Sequence, residues 1–199
     1  MRQYRFLGAV ATLALAAQIG WADGVPRSAR LVKDAGNQFL AAKSYSDAID
    51  CYFQALQLYP SYSEAHYNLG VAFLKGYNEI RLTIHHLDQY LKLAPNAPDR
   101  QSVDALLVAL RERLDSVPEV RGQVLRVIGG RLLVSGGNWV KPGDRIEVAK
   151  RGEDPCACLL ADYVYPDCLL TQRIWDAQTL ELMKPGLVAV NSSERILPR

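Results

Sequence analysis

The distribution of apolar residues divides the 199-residue chain into three parts with different periods. Residues 6–20 are almost uniformly apolar. Residues 29–115 instead place apolar and small side chains three and four positions apart, which is the period of an amphipathic helix. After Asp115 the period falls to two and glycine pairs interrupt it, as is typical of strands joined by tight turns. The pattern therefore predicts a helical part followed by a sheet.

The N-terminal apolar segment has the features of an export signal. Arg2 and Arg5 flank its start, and small residues precede Asp23 at the positions that a signal peptidase requires. The apolar run is short for a membrane span, although retention as an anchor is the alternative. We expect a signal peptide over residues 1–22 with cleavage after Ala22, and a periplasmic or secreted mature protein without a stable membrane span.

Two segments of the helical part align with each other at a spacing of about 34 residues. Residues 29–60 and 63–95 each contain a helix rich in small residues, a short loop with Tyr, a second helix and a closing Pro. The matched pairs are Gly36 with Gly70, Phe39 with Phe73, Tyr45 with Tyr77, Leu58 with Leu93, and Pro60 with Pro95. A helical hairpin cannot bury its own apolar face, so we expect a capping helix over Asp99–Asp115.

This pattern resembles the tetratricopeptide repeat, a helical hairpin that stacks on its neighbours to form a superhelix. The resemblance implies that Gly36 and Gly70 lie where the first helix of each repeat crosses closest to its neighbour. Thr83 and Tyr90 stand where that family usually has alanine. We therefore expect the second repeat to be packed more loosely, or to be adapted to a special neighbour.

The same resemblance implies an inner face that holds a partner polypeptide. The residues expected to line it are Lys33, Asn37, Tyr67, Asn68, Val71 and Lys75. The first, second and fourth of these match part of a clamp with which some members of the family hold a C-terminal carboxylate. The remaining basic positions of that clamp fall on Asp99 and Val103, with Arg100 one residue away, so an ordinary polar groove is the alternative.

Glycine and proline mark four turns in the C-terminal part. Hairpins are predicted at Gly129-Gly130 and at residues 165–167, and sharp corners at Pro142-Gly143 and Pro185-Gly186. A small sheet can close on itself only where its strands turn sharply at fixed points. Five or six short strands therefore predict a small β-barrel over residues 121–199, joined to the helical domain of residues 23–115 by a linker at 116–120. The predicted fold class is α+β.

The order of these turns resembles the C-terminal domain of flagellar H-ring-type envelope proteins. The resemblance covers Arg121 to Val190 and includes a Gly-Asp corner and the V-x-P-D hairpin at residues 164–167. Leu187 replaces the aspartate expected at the second corner. The resemblance implies a non-catalytic domain that takes part in an assembly.

The charge balance argues against nucleic acid as a partner. Residues 23–115 contain ten basic and eleven acidic side chains, and residues 116–199 contain eleven and ten. Recognition of phosphate backbones depends on an excess of Lys and Arg, which neither part has.

Four cysteines in an exported chain raise the question of disulfides. Cys51 lies on a predicted helix, and Cys156, Cys158 and Cys168 lie on predicted strands. In the predicted hairpin register Cys158 lies about 20 Å from Cys168, whereas a bridge requires α-carbons within about 7 Å. We therefore expect free and largely buried thiols.

The sequence offers no recognisable catalytic or metal-binding constellation. His85 and His86 are adjacent on a helix and diverge by about 100°, and His66 lies among packing positions of another helix, so packed or exposed histidines are expected rather than metal ligands. No nucleophile triad, paired carboxylates or phosphate-binding loop occurs. We predict no catalytic residue, no metal, no cofactor and no enzymatic activity. Trp139 and Trp175 are expected to cover the barrel core, with an exposed aromatic contact as the alternative.

These observations favour a non-catalytic scaffold or adaptor of the bacterial cell envelope, which binds a protein or peptide partner in its helical groove. The alternative is a small-ligand or glycan-binding module that uses the barrel, with the helices mediating oligomerisation. Tryptophan fluorescence changes on addition of cell-wall fragments would favour the alternative, and a co-purifying protein would favour the adaptor.

Overall fold

The protein is described by a computed structural model that covers residues 24–115, 122–136, 140–149, 156–185 and 187–191. The predicted signal peptide and linker lie outside the described residues. The chain divides into two compact units, with the division between Ala109 and Leu110. The first unit is helical and the second contains an antiparallel sheet, which confirms the predicted α+β fold class.

Within residues 24–115, which the structure describes, five helices follow one another, and the last of them crosses the division between the units. They are α1 (Arg27–Ala41), α2 (Tyr45–Leu58), α3 (Ser63–Tyr77), α4 (Ile80–Leu93) and α5 (Arg100–Asp115). The connections within each hairpin are short, so α1 packs against α2 and α3 packs against α4 as antiparallel pairs. The two predicted repeats are therefore two helical hairpins, and α5 begins one residue after the predicted start.

Local sequence explains where the hairpins turn. Lys43 and Asn78 adopt positive φ angles of 60° and 49° directly after α1 and α3. Asparagine tolerates this left-handed conformation well because its short polar side chain can bond locally. Glu79 then caps α4, since its carboxylate accepts a hydrogen bond from the backbone N–H of Arg81 at 3.2 Å.

The two aligned glycines lie at close helix crossings, as predicted. A β-carbon at Gly36 would lie 2.7 Å from Cε1 of the fully buried Tyr52 on α2. A β-carbon at Gly70 would lie 3.2 Å from Cγ of Leu87 on α4. Each hairpin therefore uses a missing side chain to let its two helices approach.

The second hairpin is adapted to its neighbours rather than loosely packed. Thr83 is fully buried, and its hydroxyl lies 2.5 Å from the Glu79 carbonyl and 3.3 Å from the Gly70 carbonyl, so the polar atom is satisfied inside the core. Tyr90 is half-buried and donates a hydrogen bond to Oδ1 of Asp99 at 2.6 Å. Of the two expectations for these residues, the special neighbour is the one observed.

The last helix covers the apolar face of the second hairpin. Val103 and Leu107 of α5 form one buried cluster with Leu87 and Leu91 of α4. The opposite side of α5 is exposed, including Val108. Removing the shared apolar area from water stabilises the end of the helical stack. Among the described residues, no helix has the length and apolar character needed to cross a membrane.

Six strands and one short helix form the second unit. They are β1 (Val124–Ile128), β2 (Arg131–Ser135), β3 (Arg145–Ala149), β4 (Ala157–Val164), β5 (Cys168–Thr171), α6 (Ala177–Leu182) and β6 (Val188–Asn191). The strand order is β1-β2-β5-β4-β3-β6, and every neighbouring pair is antiparallel. One face of the curled sheet encloses a single apolar cluster that includes Val134, Ile146 and Leu169.

The first and last strands meet through two backbone hydrogen bonds. The N–H of Val124 donates to the carbonyl of Leu187 at 2.8 Å, and the N–H of Ala189 donates to the carbonyl of Gly122 at 2.7 Å. This pair of bonds is an antiparallel bridge, so the curled sheet is joined at its edges over a short distance. The predicted small barrel is therefore present as a curled half-barrel, in which β1 and β6 are the two edge strands.

The predicted turns are present where the chain is described. Gly129 and Gly130 both have positive φ, and Gly143 has a φ of 90° after Pro142. These are the backbone conformations that glycine adopts at low cost. Asp144 completes the corner by accepting a hydrogen bond from the N–H of Lys141 at 2.9 Å.

Helix α6 was not expected from the residue pattern. Asp176 caps it by accepting hydrogen bonds from the N–H groups of Gln178 and Thr179 at 3.2 and 2.7 Å. This local signal starts a helical turn before the final corner, whose Gly186 lies outside the described residues.

Candidate functional site

Side chains of α1 and α3 meet in two matched pairs. The Asn68 amide donates a hydrogen bond to Oδ1 of Asn37 at 2.8 Å, and Nζ of Lys33 donates to Oε2 of Glu64 at 3.0 Å. Both pairs join residues 31 positions apart, so the two helices lie side by side in the same register. The structure therefore brings together three of the residues predicted to line the inner face.

Two more predicted residues extend this row along α3. Val71 and Lys75 follow Asn68 by three and seven positions, which places all three on one side of the helix. Val71 is half-buried and Lys75 is exposed in the last helical turn. We call the row of Lys33, Asn37, Asn68, Val71 and Lys75 the α1–α3 face.

Asn37 is held firmly at the centre of the face. Its Oδ1 atom also accepts a hydrogen bond from the Tyr52 hydroxyl at 2.9 Å. Burial raises the pKa of Tyr52 to about 12, so the hydroxyl keeps its proton and remains a donor at neutral pH. Two donors from two helices thus fix the orientation of this amide before any partner binds.

Tyr67 lies beside the α1–α3 face rather than in the row. It is half-buried against the cluster shared by α4 and α5, and its ring centroid lies 5.0 Å from that of Tyr90. Burial, together with the bond to Asp99, raises the pKa of Tyr90 to about 12. The two rings form an aromatic wall next to Asn68.

Lys33 is the most enclosed charge of the face. Its Nζ atom lies 3.0 Å from both Oδ1 of Asp34 and Oε2 of Glu64, and 5.8 Å from the ring centroid of Tyr62. The lysine side chain is 13% exposed. Burial disfavours its charge, but the two carboxylates outweigh that effect and raise the pKa of Lys33 above its ordinary value.

The structure does not place basic side chains at the two positions that would complete a carboxylate clamp. Asp99 is engaged by the Tyr90 hydroxyl, and Val103 is buried. The adjacent Arg100 donates to the Pro95 carbonyl at 3.1 Å and pairs with Asp104 at 3.4 Å. The geometry therefore favours the polar-groove alternative.

A histidine pair inside the second hairpin was not predicted. Nδ1 of His66 lies 3.0 Å from Nδ1 of His86, and Nε2 of His66 lies 3.0 Å from the Pro60 carbonyl. A carbonyl only accepts, so neutral His66 donates from Nε2 and accepts at Nδ1 from His86. The ring of His86 is buried and stacks on Phe73. Burial lowers the pKa of both histidines.

The cysteine prediction is correct in one respect and wrong in another. None of the four cysteines forms a disulfide, and Cys168 is buried. Cys156 and Cys158 are exposed, because Leu159 rather than its neighbours points into the sheet core. Among the described residues, no group of three or more His, Cys, Asp or Glu side chains is arranged to hold a metal ion.

Trp175 is an exposed aromatic residue, contrary to the expectation that it covers the core. Its side chain is 81% exposed, and the guanidinium of Arg173 lies 4.4 Å from its ring centroid. It lies in the short segment before α6, where the alternation of inward and outward positions has ended. Trp139 lies outside the described residues.

Comparison with known proteins agrees with the repeat architecture of the helices. The family model described as TPR repeat matches residues 36–76, a span that includes all of α2 and most of α3. TPR repeats form a non-enzymatic scaffold for protein interaction. The matched span is a minor part of the chain.

One solved structure with similarity to the chain is described as the first TPR of Spaghetti (RPAP3) bound to the HSP90 peptide SRMEEVD. The sequences are 18% identical, and the alignment covers 48% of this chain and 100% of that chain with a TM-score of 0.25. No curated protein matches the sequence. The resemblance of the sheet to flagellar H-ring-type proteins receives no support from these matches and stays a prediction.

Proposed function

We propose that the protein is a non-catalytic adaptor that binds an extended segment of a partner polypeptide along the α1–α3 face. The observation that carries this proposal is the ordered row of polar side chains shared by two adjacent helices of TPR-type repeats. Every residue of an extended peptide presents a backbone donor and acceptor. Side-chain amides can satisfy both groups, and Asn37 and Asn68 are two amides fixed side by side.

The dimensions of the face suit a short peptide. The rise of an α-helix places Lys75 about 16 Å from Glu64, the partner of Lys33, along α3. The two helices that form the face are separated by about 8–10 Å. An extended chain advances about 3.3 Å per residue, so roughly five or six peptide residues would cover the row.

The neighbouring aromatic wall gives such a peptide an apolar contact. Tyr67 and Tyr90 are half-buried and are held by ring packing and by Asp99. Aromatic side chains on a rigid support bind with little loss of conformational entropy, and they often dominate binding energy at interfaces. The wall would supply affinity, whereas the amides would fix the peptide backbone.

The proposal is tested with an array of random-sequence octapeptides, acetylated and amidated, probed with the purified protein. Peptides that bind are then titrated in solution while backbone amide shifts are followed by NMR. We expect the largest shifts in residues of α1 and α3. Asn68→Ala with Val71→Gln should weaken binding about tenfold, because a hydrogen bond and an apolar contact are lost.

The double variant should keep its fold because Asn37 retains its bond from Tyr52. The matched control is Asp47→Asn on α2, an exposed change in the outer helix of the first hairpin. Unchanged binding in the double variant, or shifts confined to the sheet unit, would rule out the groove.

We also propose that this adaptor acts in the bacterial cell envelope, on the basis of the export signal in residues 1–22. N-terminal sequencing of the exported protein should begin at Asp23. The sheet unit would provide a second contact within an assembly, as the H-ring resemblance suggests, and the exposed Trp175 is the side chain best placed for it.

A further inference from the structure

The charged group at the Lys33 end of the α1–α3 face exposes anions and encloses its cation. The side chain of Lys33 is 13% exposed, whereas those of Asp34 and Glu64 are 58% and 63% exposed. A molecule that approaches this end therefore meets carboxylate oxygens before it meets the ammonium group.

Two of the three donors of the lysine are already occupied by carboxylates. An ammonium group has three N–H bonds. Two of them are taken by Oδ1 of Asp34 and Oε2 of Glu64, and the ring face of Tyr62 lies 5.8 Å away on a further side. A carboxylate from a partner would lie beside these two carboxylates, and the repulsion between like charges is unfavourable.

The balance of charge within this group also favours a cation. One ammonium and two carboxylates leave a net charge of −1 among the three side chains. Glu64 lies in the first turn of α3, where the helix dipole favours a negative charge in addition to the contact with Lys33. A second cation between Asp34 and Glu64 would neutralise the excess.

The start of α5 also disfavours an anionic ligand. Asp99 at the start of α5 is an acid, and the neighbouring Arg100 is turned to Pro95 and Asp104. Neither residue offers a free cation to a peptide carboxylate. Two elements of the helical unit thus disfavour an anionic ligand independently.

We infer that the Lys33 end of the α1–α3 face selects a peptide that presents a lysine or arginine side chain to Glu64 and Asp34. This inference rests on the proposed function, because it specifies the chemistry of the peptide that the face binds. The cationic side chain would bridge the two exposed carboxylates and neutralise the negative charge that Lys33 leaves over.

The test uses the same octapeptide array and then a thermodynamic cycle in solution. Bound peptides should be enriched in Lys and Arg over Asp and Glu. For the tightest peptide, replacing its cationic residue with Gln should weaken binding to the unaltered protein about tenfold, since two charge-assisted contacts are lost. The same peptide change should have little effect on binding to the Asp34→Asn, Glu64→Gln variant.

Two further variants identify the charge that matters. Lys33→Gln should preserve or strengthen binding of the cationic peptide, because it leaves the carboxylates less neutralised. Asp47→Asn removes one negative charge from α2, and it should leave the effect of the Gln substitution in the peptide unchanged. Circular dichroism confirms that each variant is folded.

The outcomes separate this inference from the proposed function. Peptides that bind the face but are enriched in acidic residues, or that lose affinity in Lys33→Gln, would overturn the cationic preference and leave the groove intact. Equal binding of neutral and cationic peptides would overturn it as well. Absence of peptide binding to the face would overturn both.

Discussion

Individual glycines decide how closely the helices of each hairpin pack. Gly36 faces Tyr52, whose ring is fully buried and whose hydroxyl is bonded to Asn37. The ring therefore has little room to move away from a new methyl group. Gly70 faces the more adaptable side chain of Leu87 at a longer distance. The two aligned glycines consequently differ in how much change they tolerate.

We predict that Gly36→Ala lowers the free energy of unfolding by about 1–3 kcal/mol, because overpacking outweighs the gain of alanine in helix propensity. Gly70→Ala should cost clearly less. Urea denaturation followed by far-ultraviolet circular dichroism measures both. Equal effects of the two substitutions would show that the contact with Tyr52 is not the limiting one.

The exposure of Trp175 could not be predicted from its residue type. Tryptophan is usually buried at least in part, and this position follows an apolar strand, so a core position was the natural expectation. The cap at Asp176 starts α6 immediately afterwards and ends the strand alternation. The tryptophan is left in solvent with Arg173 against its ring. The direction of a side chain outside regular structure depends on the path of the backbone around it.

At the scale of elements, the second hairpin contains a titratable contact between its helices. His66 on α3 and His86 on α4 share a hydrogen bond in which one Nδ1 donates and the other accepts, so at least one of the two rings must be neutral. Burial is the main cause of the lowered pKa of His86, and the neighbouring His85 and His66 lower it further. Protonation of either ring would place a charge in the core or remove the acceptor.

The sign of the pH dependence follows from the lowered pKa values. The unfolded chain takes up protons on these histidines near pH 6.5, whereas the folded chain does so only at lower pH. The stabilisation is therefore present above pH 6.5 and is lost as the pH falls towards the folded-state values. The slope approaches about 1.4 kcal/mol per pH unit for each histidine that stays neutral in the folded chain.

We predict that the free energy of unfolding of the helical unit falls between pH 7 and pH 5. His86→Phe should reduce this dependence, since a phenylalanine ring fits beside Phe53 and Phe73 without titrating. His85→Gln is the matched control and should retain most of it. Urea denaturation at several pH values provides the measurement, and equal slopes in all three proteins would contradict the prediction.

At the scale of the whole molecule, the chain consists of two units with separate cores. The helical unit buries clusters around Leu87 and around Ala65, and the sheet unit encloses its own apolar cluster. Separate cores allow separate folding. The proposed peptide site lies entirely within the helical unit.

We predict that a fragment of residues 24–115 folds alone and binds the same octapeptides as the full chain, with dissociation constants within about threefold. Its circular dichroism spectrum should be helical with a cooperative thermal transition. An unfolded fragment would show that the helices depend on the sheet unit. A folded fragment that does not bind would place the peptide site elsewhere.

The sequence by itself determined the elements and much of the local geometry. Apolar periodicity located five helices, and glycine pairs located the hairpin at Gly129-Gly130 and the corner at Gly143, because these features depend on backbone preferences of neighbouring residues. The resemblance to the tetratricopeptide repeat also implied that Asn37 and Asn68 would share a face, and the two amides are in contact.

Only the tertiary structure decided how the charged and polar groups are paired. Lys33 and Glu64 are separated by 31 positions in the sequence, and nothing in the residue pattern indicates that they form an ion pair. The same holds for the hydrogen bond between His66 and His86. It also predicted largely buried thiols, whereas Cys156 and Cys158 are exposed. Such contacts depend on the register and rotation of elements packed against each other, which are set by the whole core and not by neighbouring residues.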